Sequence, residues 1–247
     1  MLLKSKTAIV TGCNRGIGKK IVEIFSKNGA TIFACVRNID EDFKSYISSL
    51  ENKTKNQIIP IQLDLNDANQ IKEAANKIIS ANKPIDILVN NAATIHTSIF
   101  QMTPIKKLKE IFETNFFSQS NFTQYILKSM VKNKKGSILY VSSSSALDGN
   151  EGRSAYSSAK AALISQSKVL SRELGVHNIR VNALAPGLTN TDMMKKNTPP
   201  EVLKDVLTRV SLRRAADPEE IANIALFISS DLSSYITGQV IRADGGM

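Results

Sequence analysis

The chain has 247 residues, and its 32 lysines and arginines against 22 aspartates and glutamates give a formal net charge of +10. Apolar residues make up 42%, with 12 glycines, 7 prolines and 2 cysteines, which excludes collagen, intrinsic disorder and a disulfide scaffold. The length suits a single α/β domain whose core needs no disulfide or metal ion for stability.

The amino terminus predicts neither export nor a membrane anchor. Its apolar run is interrupted by Lys4 and Lys6 and has no small-residue cleavage site. No stretch approaches the ~18–20 apolar residues of a membrane-spanning helix. Cys13 and Cys35 lack the spacing of metal ligands and are poor evidence for a disulfide. We therefore expect a reduced, cytoplasmic protein.

Short apolar runs alternate with helical patterns along the whole chain. The runs are mostly β-branched and predict strands buried on both faces of a parallel sheet, at 7–10, 31–34, 58–61, 85–89, 137–141, 179–183 and 238–242. Helical patterns cover 17–28, 40–51, 67–82, a pair across 102–133, 154–174 and 217–230, the last beginning at an Asp-Pro-Glu-Glu cap. The alternation predicts a single-domain α/β fold over 1–247, a doubly wound parallel sheet of about seven strands with helices on both faces. The segment 188–214 is predicted to be an irregular substrate-loop insertion.

A glycine-rich turn, Thr11-Gly-Cys-Asn-Arg-Gly-Ile-Gly18, joins the first predicted strand to the first helix. Gly12 permits a tight turn, Gly16 lets the backbone approach a diphosphate, and Gly18 permits close packing of the helix on the sheet. A diphosphate would then lie at the helix amino terminus, where free N–H groups and the helix dipole favour anions. This position in the first βα unit predicts Rossmann-type binding of a dinucleotide.

The spacing of these glycines resembles that of the short-chain dehydrogenase/reductase family, and further motifs extend the resemblance along the chain. They are Asn90-Asn-Ala-Ala93, where the family has Asn-Asn-Ala-Gly, Tyr156-Ser-Ser-Ala-Lys160, Pro186-Gly187 and Ala243-Asp-Gly-Gly246. The chain looks most like the 3-oxoacyl-(acyl carrier protein) reductase branch. The resemblance implies a carbonyl reductase with four catalytic residues, Asn115, Ser143, Tyr156 and Lys160.

The chemistry of these residues suits the reduction of a keto group. Tyr156 and Lys160 are four residues apart on a helical pattern, so their side chains share one face. An ammonium nearby favours the phenolate, so we expect Lys160 to lower the pKa of Tyr156 and make it a better acid. The resemblance implies that Lys160 also holds the nicotinamide ribose, that Ser143 bonds the carbonyl oxygen, and that Asn115 holds a proton-relaying water. Because 142–145 are all serine, only the thirteen-residue spacing before Tyr156 selects Ser143 over Ser142 or Ser144.

The predicted cofactor is NADPH. The second strand is followed by Arg37 instead of the acidic residue that accepts from the ribose of NAD, and Arg15 can reach the same 2′-phosphate. Asp64 fits the family's adenine contact but is too far along the chain to replace the missing acid. The complete set of predicted cofactor contacts is Gly12, Asn14, Arg15, Gly16, Ile17, Gly18, Arg37, Asp64, Leu65, Asn91, Ala92, Ala93, Tyr156, Lys160, Pro186, Gly187, Leu188 and Thr191.

The substrate and partners are less determined by the sequence. A 3-oxoacyl group on acyl carrier protein is the first candidate, although Lys134 and His177 stand where that branch has carrier-binding arginines, and lysine lacks the forked geometry. Another small carbonyl or alcohol, such as a sugar or polyol, is an alternative, as is a catalytically silent nucleotide-binding scaffold. His96 follows the fourth strand and is either a substrate contact or a surface histidine. Two histidines without spaced acidic or thiol partners do not predict a metal site.

The positive charge bears on which partners the protein can bind. Lysines cluster at 106–109 and 128–135, either as a solvated surface or as an attraction for an anionic cofactor or carrier. No recognition motif accompanies them, so we expect no nucleic-acid partner.

The resemblance implies a homotetramer formed through the long central helices and the last strand. The segment 105–131 is rich in the apolar residues that such an interface needs, namely Ile105, Leu108, Ile111, Phe112, Phe116, Phe117 and Phe122.

Overall fold

A seven-stranded sheet, parallel throughout, forms the centre of the computed structural model, which describes all 247 residues. The strands are β1 Thr7–Thr11, β2 Thr31–Val36, β3 Ile58–Gln62, β4 Ile87–Asn90, β5 Gly136–Val141, β6 Ile179–Pro186 and β7 Val240–Ala243. Their order across the sheet is β3-β2-β1-β4-β5-β6-β7. The predicted fold class is therefore confirmed, and every predicted strand is present with small differences at the ends.

Ten α-helices connect and cover the strands. They are α1 Gly16–Lys27, α2 Glu41–Thr54, α3 Ala68–Ser80, α4 Ile105–Phe112, α5 Ser118–Asn133, α6 Ser145–Asp148, α7 Ser154–Leu174, α8 Asp192–Asn197, α9 Pro200–Arg209 and α10 Pro218–Ser229. A π-helical turn, Glu113–Phe117, joins α4 to α5. Short 3₁₀ turns lie at Phe100–Met102, Gly175–His177 and Asp231–Ser233. No helix combines the length and apolar character needed to cross a bilayer.

Two apolar layers hold the helices against the sheet. On one face α1, α2 and α10 bury side chains such as Phe25, Phe43 and Ile221 against alternate residues of the strands. On the other face α3, α5 and α7 contribute side chains such as Ile78 and Phe122. Because both faces are covered, the strands are apolar at nearly every position, which is the pattern that predicted them.

The prediction that segment 188–214 is irregular is wrong, because this segment contains α8 and α9. The pair Pro199-Pro200 suggests a break in the chain, yet proline at the first position of a helix has the required backbone angle and lacks only an N–H that would be unpaired there. The apolar residues Val202, Leu203, Val206 and Val210 also recur at helical spacing. The two helices form a flap beside the carboxyl ends of the strands.

The apolar residues expected at an assembly interface divide between the core and the surface. Ile111 and Phe122 are buried within the chain. Leu108, Phe112 and Phe116 are partly buried. Ile105 and Phe117 remain 67% and 53% exposed. The apolar surface available to a partner is therefore smaller than the sequence suggests.

Candidate active site

The glycine-rich turn forms a close junction between β1 and α1. Gly12 has φ +66°, and a Cβ there would lie 2.7 Å from the Cα of Ala92. A Cβ on Gly18 would overlap both the carbonyl oxygen of Gly12 and the side-chain nitrogen of Asn91. Both positions therefore require glycine, the first for its backbone conformation and the second for its close contacts. Gly16 begins α1, so the free N–H groups of the first helical turn face the cleft.

Asn91 and Thr11 fix this turn to the end of β4. The Asn91 amide donates to the carbonyl oxygens of Thr11 and Gly12 at 2.9 and 3.0 Å. The Thr11 hydroxyl oxygen accepts from the backbone N–H groups of Asn91 and Ala92, each at 3.0 Å. Asn91 therefore shapes the phosphate loop with its side chain. Thr11 begins the glycine-rich motif, but the motif alone does not reveal this function of its hydroxyl.

A cleft of about 1520 Å³ opens at the carboxyl ends of the strands, where the order of the strands reverses between β1 and β4. All predicted site residues except Asp64 and Asn115 line it. They are Gly12, Asn14, Arg15, Gly16, Ile17, Gly18, Arg37, Leu65, Asn91, Ala92, Ala93, Ser143, Tyr156, Lys160, Pro186, Gly187, Leu188 and Thr191.

Tyr156 and Lys160 lie one turn apart on α7, with the Lys160 Nζ 5.9 Å from the centre of the Tyr156 ring. Lys160 is only 1% exposed, and its Nζ donates to the carbonyl oxygen of Val141 at 2.7 Å. Burial lowers the pKa of Lys160 to about 7, because the charged form loses water and has one protein acceptor. The lysine is thus poised to change protonation near neutral pH.

The pKa of Tyr156 moves in the direction opposite to the one expected. Burial raises it, while the hydroxyl of Ser143 and the charge of Arg153 oppose the rise. Lys160 is not among the groups that oppose the rise, and burial lowers its own pKa to about 7. The expectation that Lys160 lowers the pKa of Tyr156 is therefore wrong for the protein chain alone. A proton donor must carry its proton at the start of a reduction, and the raised pKa keeps Tyr156 protonated.

The four consecutive serines separate into distinct environments. The Ser142 hydroxyl is buried and donates to the carbonyl oxygen of Lys160 at 2.9 Å, which ties β5 to α7. The Ser143 hydroxyl lies beside Tyr156 in the cleft and is 3.2 Å from the hydroxyl of Ser145. Ser144 is anchored through its backbone N–H to the carbonyl oxygen of Pro186 at 2.8 Å. The geometry favours Ser143 as the serine that acts with Tyr156.

Asn115 lies in the π-helical turn and is fully buried, outside the lining of the cleft. Its Oδ1 accepts from the backbone N–H of Thr94, and its Nδ2 donates to the carbonyl oxygen of Thr94, each at 2.8 Å. Both polar ends of the carboxamide therefore hold the segment after β4. Both polar ends of the side chain are engaged there, and π-helical turns of this kind are frequent at functional sites.

Arg37 and Asp64 are neighbours in space although 27 positions separate them in the chain. Val36 pairs with Gln62 across β2 and β3, so the residues after these strands emerge side by side. The Arg37 Nε lies 3.6 Å from an Asp64 carboxylate oxygen, with the Arg37 side chain 63% exposed. The sequence analysis places Asp64 too far along the chain to replace the acid missing after β2, yet the pairing of β2 with β3 brings its carboxylate beside Arg37.

The other chemically notable residues lie outside the catalytic cluster. Ile95 and Thr97 line the cleft, but His96 between them does not. Cys13 and Cys35 are buried free thiols. No group of three or more histidine, cysteine, aspartate or glutamate side chains is placed to hold a metal ion. Lys134 precedes β5 and His177 precedes β6, at the edge of the sheet opposite the cleft.

Arg153 is a cleft residue that the motifs did not identify. It precedes α7, and its guanidinium donates from Nη1 to the Thr97 hydroxyl at 2.6 Å and from Nη2 to the carbonyl oxygen of Asn197 at 2.7 Å. It thereby connects the loop after β4 to the end of α8. The signal available in the sequence is its position three residues before Tyr156, immediately before the predicted helix 154–174.

Comparisons with known proteins agree with this geometry. Residues 12–247 match the family described as Enoyl-(acyl carrier protein) reductase. The 3-oxoacyl-(acyl-carrier-protein) reductase FabG of Thermotoga maritima is 36% identical over 247 residues, covering 100% of this chain and 99% of that relative. A solved structure described as a short chain dehydrogenase/reductase family protein has a TM-score of 0.84 at 30% identity, covering 100% of this chain and 98% of that chain. A putative NAD(P)-dependent gluconate 5-dehydrogenase from Beutenbergia cavernae, with bound NADP, has a TM-score of 0.93 at 27% identity, covering 99% and 97% of the two chains.

Proposed function

The chain belongs to the short-chain dehydrogenase/reductase family of oxidoreductases, which act on alcohols and ketones, and we propose that it is an NADPH-dependent carbonyl reductase. The observation that carries the proposal is the convergence of Ser143, Tyr156 and Lys160 on one cleft beside the glycine-rich turn. A nucleotide-binding scaffold without catalytic activity needs no proton donor at this position.

The residues of the cleft suit a dinucleotide. The glycine-rich turn leaves no room for side chains where a diphosphate would approach, and the N–H groups of α1 face that space. The ammonium of Lys160 has three N–H donors, of which one is used on Val141, so others are available to the ribose hydroxyls. When bound, the nicotinamide supplies the hydride that is added to the carbonyl carbon.

The protein residues complete the reduction by handling the oxygen and its proton. Ser143 donates a hydrogen bond to the carbonyl oxygen and fixes its position. Tyr156 transfers its phenolic proton to that oxygen as negative charge develops, and solvent later restores the proton. Asn115 positions the segment after β4 through Thr94, so its contribution is to the shape of the cleft.

Arg37 and Arg15 support a preference for the phosphorylated dinucleotide. Both line the cleft near the turn, and no carboxylate follows β2 directly. A charge-assisted hydrogen bond to a phosphate contributes ~1.5–3 kcal/mol, or roughly 10- to 150-fold in affinity. Asp64 lies against Arg37 and reduces this advantage, because it competes for the guanidinium and repels a phosphate. We therefore place the preference for NADPH over NADH at the lower end of this range.

The first substrate candidate is a 3-oxoacyl thioester on acyl carrier protein, supported by the identity to 3-oxoacyl-(acyl-carrier-protein) reductases along the whole chain. The location of Lys134 and His177 at the opposite edge of the sheet gives no support to carrier docking beside the cleft. A second candidate is a small oxo acid or its hydroxy acid. It is favoured by the likeness to gluconate 5-dehydrogenase and by the cation Arg153 in the cleft.

The proposed function is tested with Tyr156→Phe, which keeps the ring and removes the proton donor. We expect kcat to fall by ~10²–10⁴-fold while the Kd for NADPH changes little. Tyr140→Phe is the matched control, since it removes a buried phenol that lies in the core. A Tyr156→Phe enzyme that keeps more than half of its activity would contradict the assignment. Binding of NADPH without reduction of any carbonyl by the unmodified protein would favour the silent scaffold.

We further propose that the chain assembles as a homotetramer in the cytoplasm. The exposed side chains of Ile105 and Phe117, at either end of the α4 and π-helical segment, are the apolar surface that supports assembly. Light scattering at micromolar concentration measures the oligomeric state directly.

A further inference from the structure

Arg153 carries a positive charge into the cleft without a carboxylate to balance it. It is partly buried and makes no ion pair, and its two hydrogen bonds go to the neutral groups of Thr97 and Asn197. Burial lowers the pKa of Arg153, and the one opposing effect comes from Tyr156. A cation that loses water without gaining an anion is unfavourable, so its placement calls for a partner.

The acidic side chains of the cleft do not supply that partner. Asp148 is bound by both terminal nitrogens of Arg242, at 2.8 and 2.6 Å. Asp205 pairs with Arg209 at 3.1 Å. Glu151 and Asp192 are exposed to solvent and pair with no cation. Arg153 is therefore a cation of the cleft that no carboxylate of the chain compensates.

The position and donors of Arg153 fit an anionic group on the substrate. A guanidinium has five N–H donors, and two are used here, so three remain for a ligand. Arg153 directly precedes α7, three residues before Tyr156, and its charge acts on the Tyr156 phenol. A carboxylate held by Arg153 would thus lie only a few bonds from a carbonyl held by Tyr156.

We propose that Arg153 determines substrate specificity by binding a carboxylate of the substrate, and that the preferred substrates are small oxo acids. The inference rests on the proposed reductase activity of the same cleft, and it selects the second substrate candidate over the neutral thioester. Arg153 thereby has two connected functions, since it also holds the loop after β4 against the end of α8.

Two substrates with the same ketone separate charge recognition from catalysis. Acetoacetate carries a carboxylate, whereas S-acetoacetyl-N-acetylcysteamine has a neutral thioester at the same position. We expect the kcat/KM of the unmodified enzyme to favour acetoacetate, and Arg153→Gln to lower the ratio of the two kcat/KM values by ~10- to 100-fold. Arg153→Lys should restore part of the ratio, because it keeps the charge and loses the fork. An unchanged ratio in Arg153→Gln would overturn the proposal.

Thr97→Val is the control for the structural function of Arg153. It removes the hydroxyl that accepts from Nη1 but leaves the guanidinium charge in the cleft. We expect the ratio of the two kcat/KM values to persist in this variant, even where both values fall. If Thr97→Val lowers the ratio as much as Arg153→Gln does, Arg153 acts by holding the loop, and the proposal is wrong.

A binding measurement distinguishes failure of this inference from failure of the reductase function. Acetoacetate is titrated calorimetrically into the protein with excess NADP⁺, a mixture that cannot reduce the ketone. Binding that is lost in Arg153→Gln supports the carboxylate site even if no reduction occurs with NADPH. Absence of binding by the unmodified protein would refute the carboxylate site while leaving reduction of other carbonyls intact.

Discussion

Replacing Lys160 by methionine should make the stability of the fold respond less to pH. Lys160 is almost completely buried and has one protein acceptor, so its ammonium is poorly solvated in the folded chain. Burial lowers its pKa from 10.5 to about 7, whereas the unfolded chain retains the ordinary value. Between these pKa values the unfolded state binds more protons, so the contribution of Lys160 to stability rises with pH.

The magnitude follows from the displacement of the pKa. A change from 10.5 to about 7 corresponds to about 5 kcal/mol over the full range, at about 1.36 kcal/mol per pH unit. Only part of that range is experimentally convenient. Between pH 6 and pH 9 the difference in unfolding free energy between the native protein and Lys160→Met should change by about 3 kcal/mol, in favour of the native protein at the higher pH.

Urea denaturation at a fixed protein concentration measures this difference at each pH. Lys168→Met is the matched control, because Lys168 lies on the same helix but is exposed at the surface. Lys160→Met should also lose most reductase activity, since it removes the proposed ribose contact. If the stability difference between the native protein and Lys160→Met stays constant from pH 6 to pH 9, Lys160 is not buried as a titrating ammonium.

Three further outcomes are expected. Gly18→Ala should raise the Kd for NADPH more than tenfold, because the added Cβ would overlap Gly12 and Asn91. Gly175→Ala is the control and should leave the Kd unchanged, since the space around its Cβ is open. Equal effects of the two substitutions would contradict the geometry of the turn. Asp64→Asn should increase the ratio of kcat/KM for NADPH over NADH severalfold and Arg37→Ala should decrease it about tenfold, and a ratio indifferent to both changes would remove the Arg37 argument. Light scattering should report a tetramer for the native chain and smaller species for Phe117→Ser, whereas a monomeric native chain at micromolar concentration would contradict the assembly.

Most of the fold could be predicted because its determinants are local. The buried strands are continuous apolar runs, and α7 was predicted over the same residues, 154–174, that form it. α10 likewise begins at the predicted cap, where the Glu220 carboxylate accepts from the N–H of Asp217 at 2.9 Å. The flap helices α8 and α9 are not predictable from the local sequence, because a proline pair can start a helix as well as end one.

The site was predictable to the extent that its residues follow one another in motifs. The glycine-rich turn and the Tyr156–Lys160 pair each occupy a single βα or helical segment, so their spacing implies their geometry. The pairing of Asp64 with Arg37 and of Asn115 with Thr94 depends on which strands and loops become neighbours. The pKa of Tyr156 depends on burial, which spacing between two residues does not reveal.

The flap of α8 and α9 has a consequence for how this chain can acquire new activities. Within α9 only Val206 is buried, so most of its side chains can be exchanged at little cost in folding free energy. The proton donor and the glycine-rich turn belong instead to elements packed in the two apolar layers. Mutations can therefore accumulate over one wall of the cleft while the reaction itself is preserved. Such a division gives a single scaffold the mutational tolerance to explore different substrates without rebuilding its chemistry.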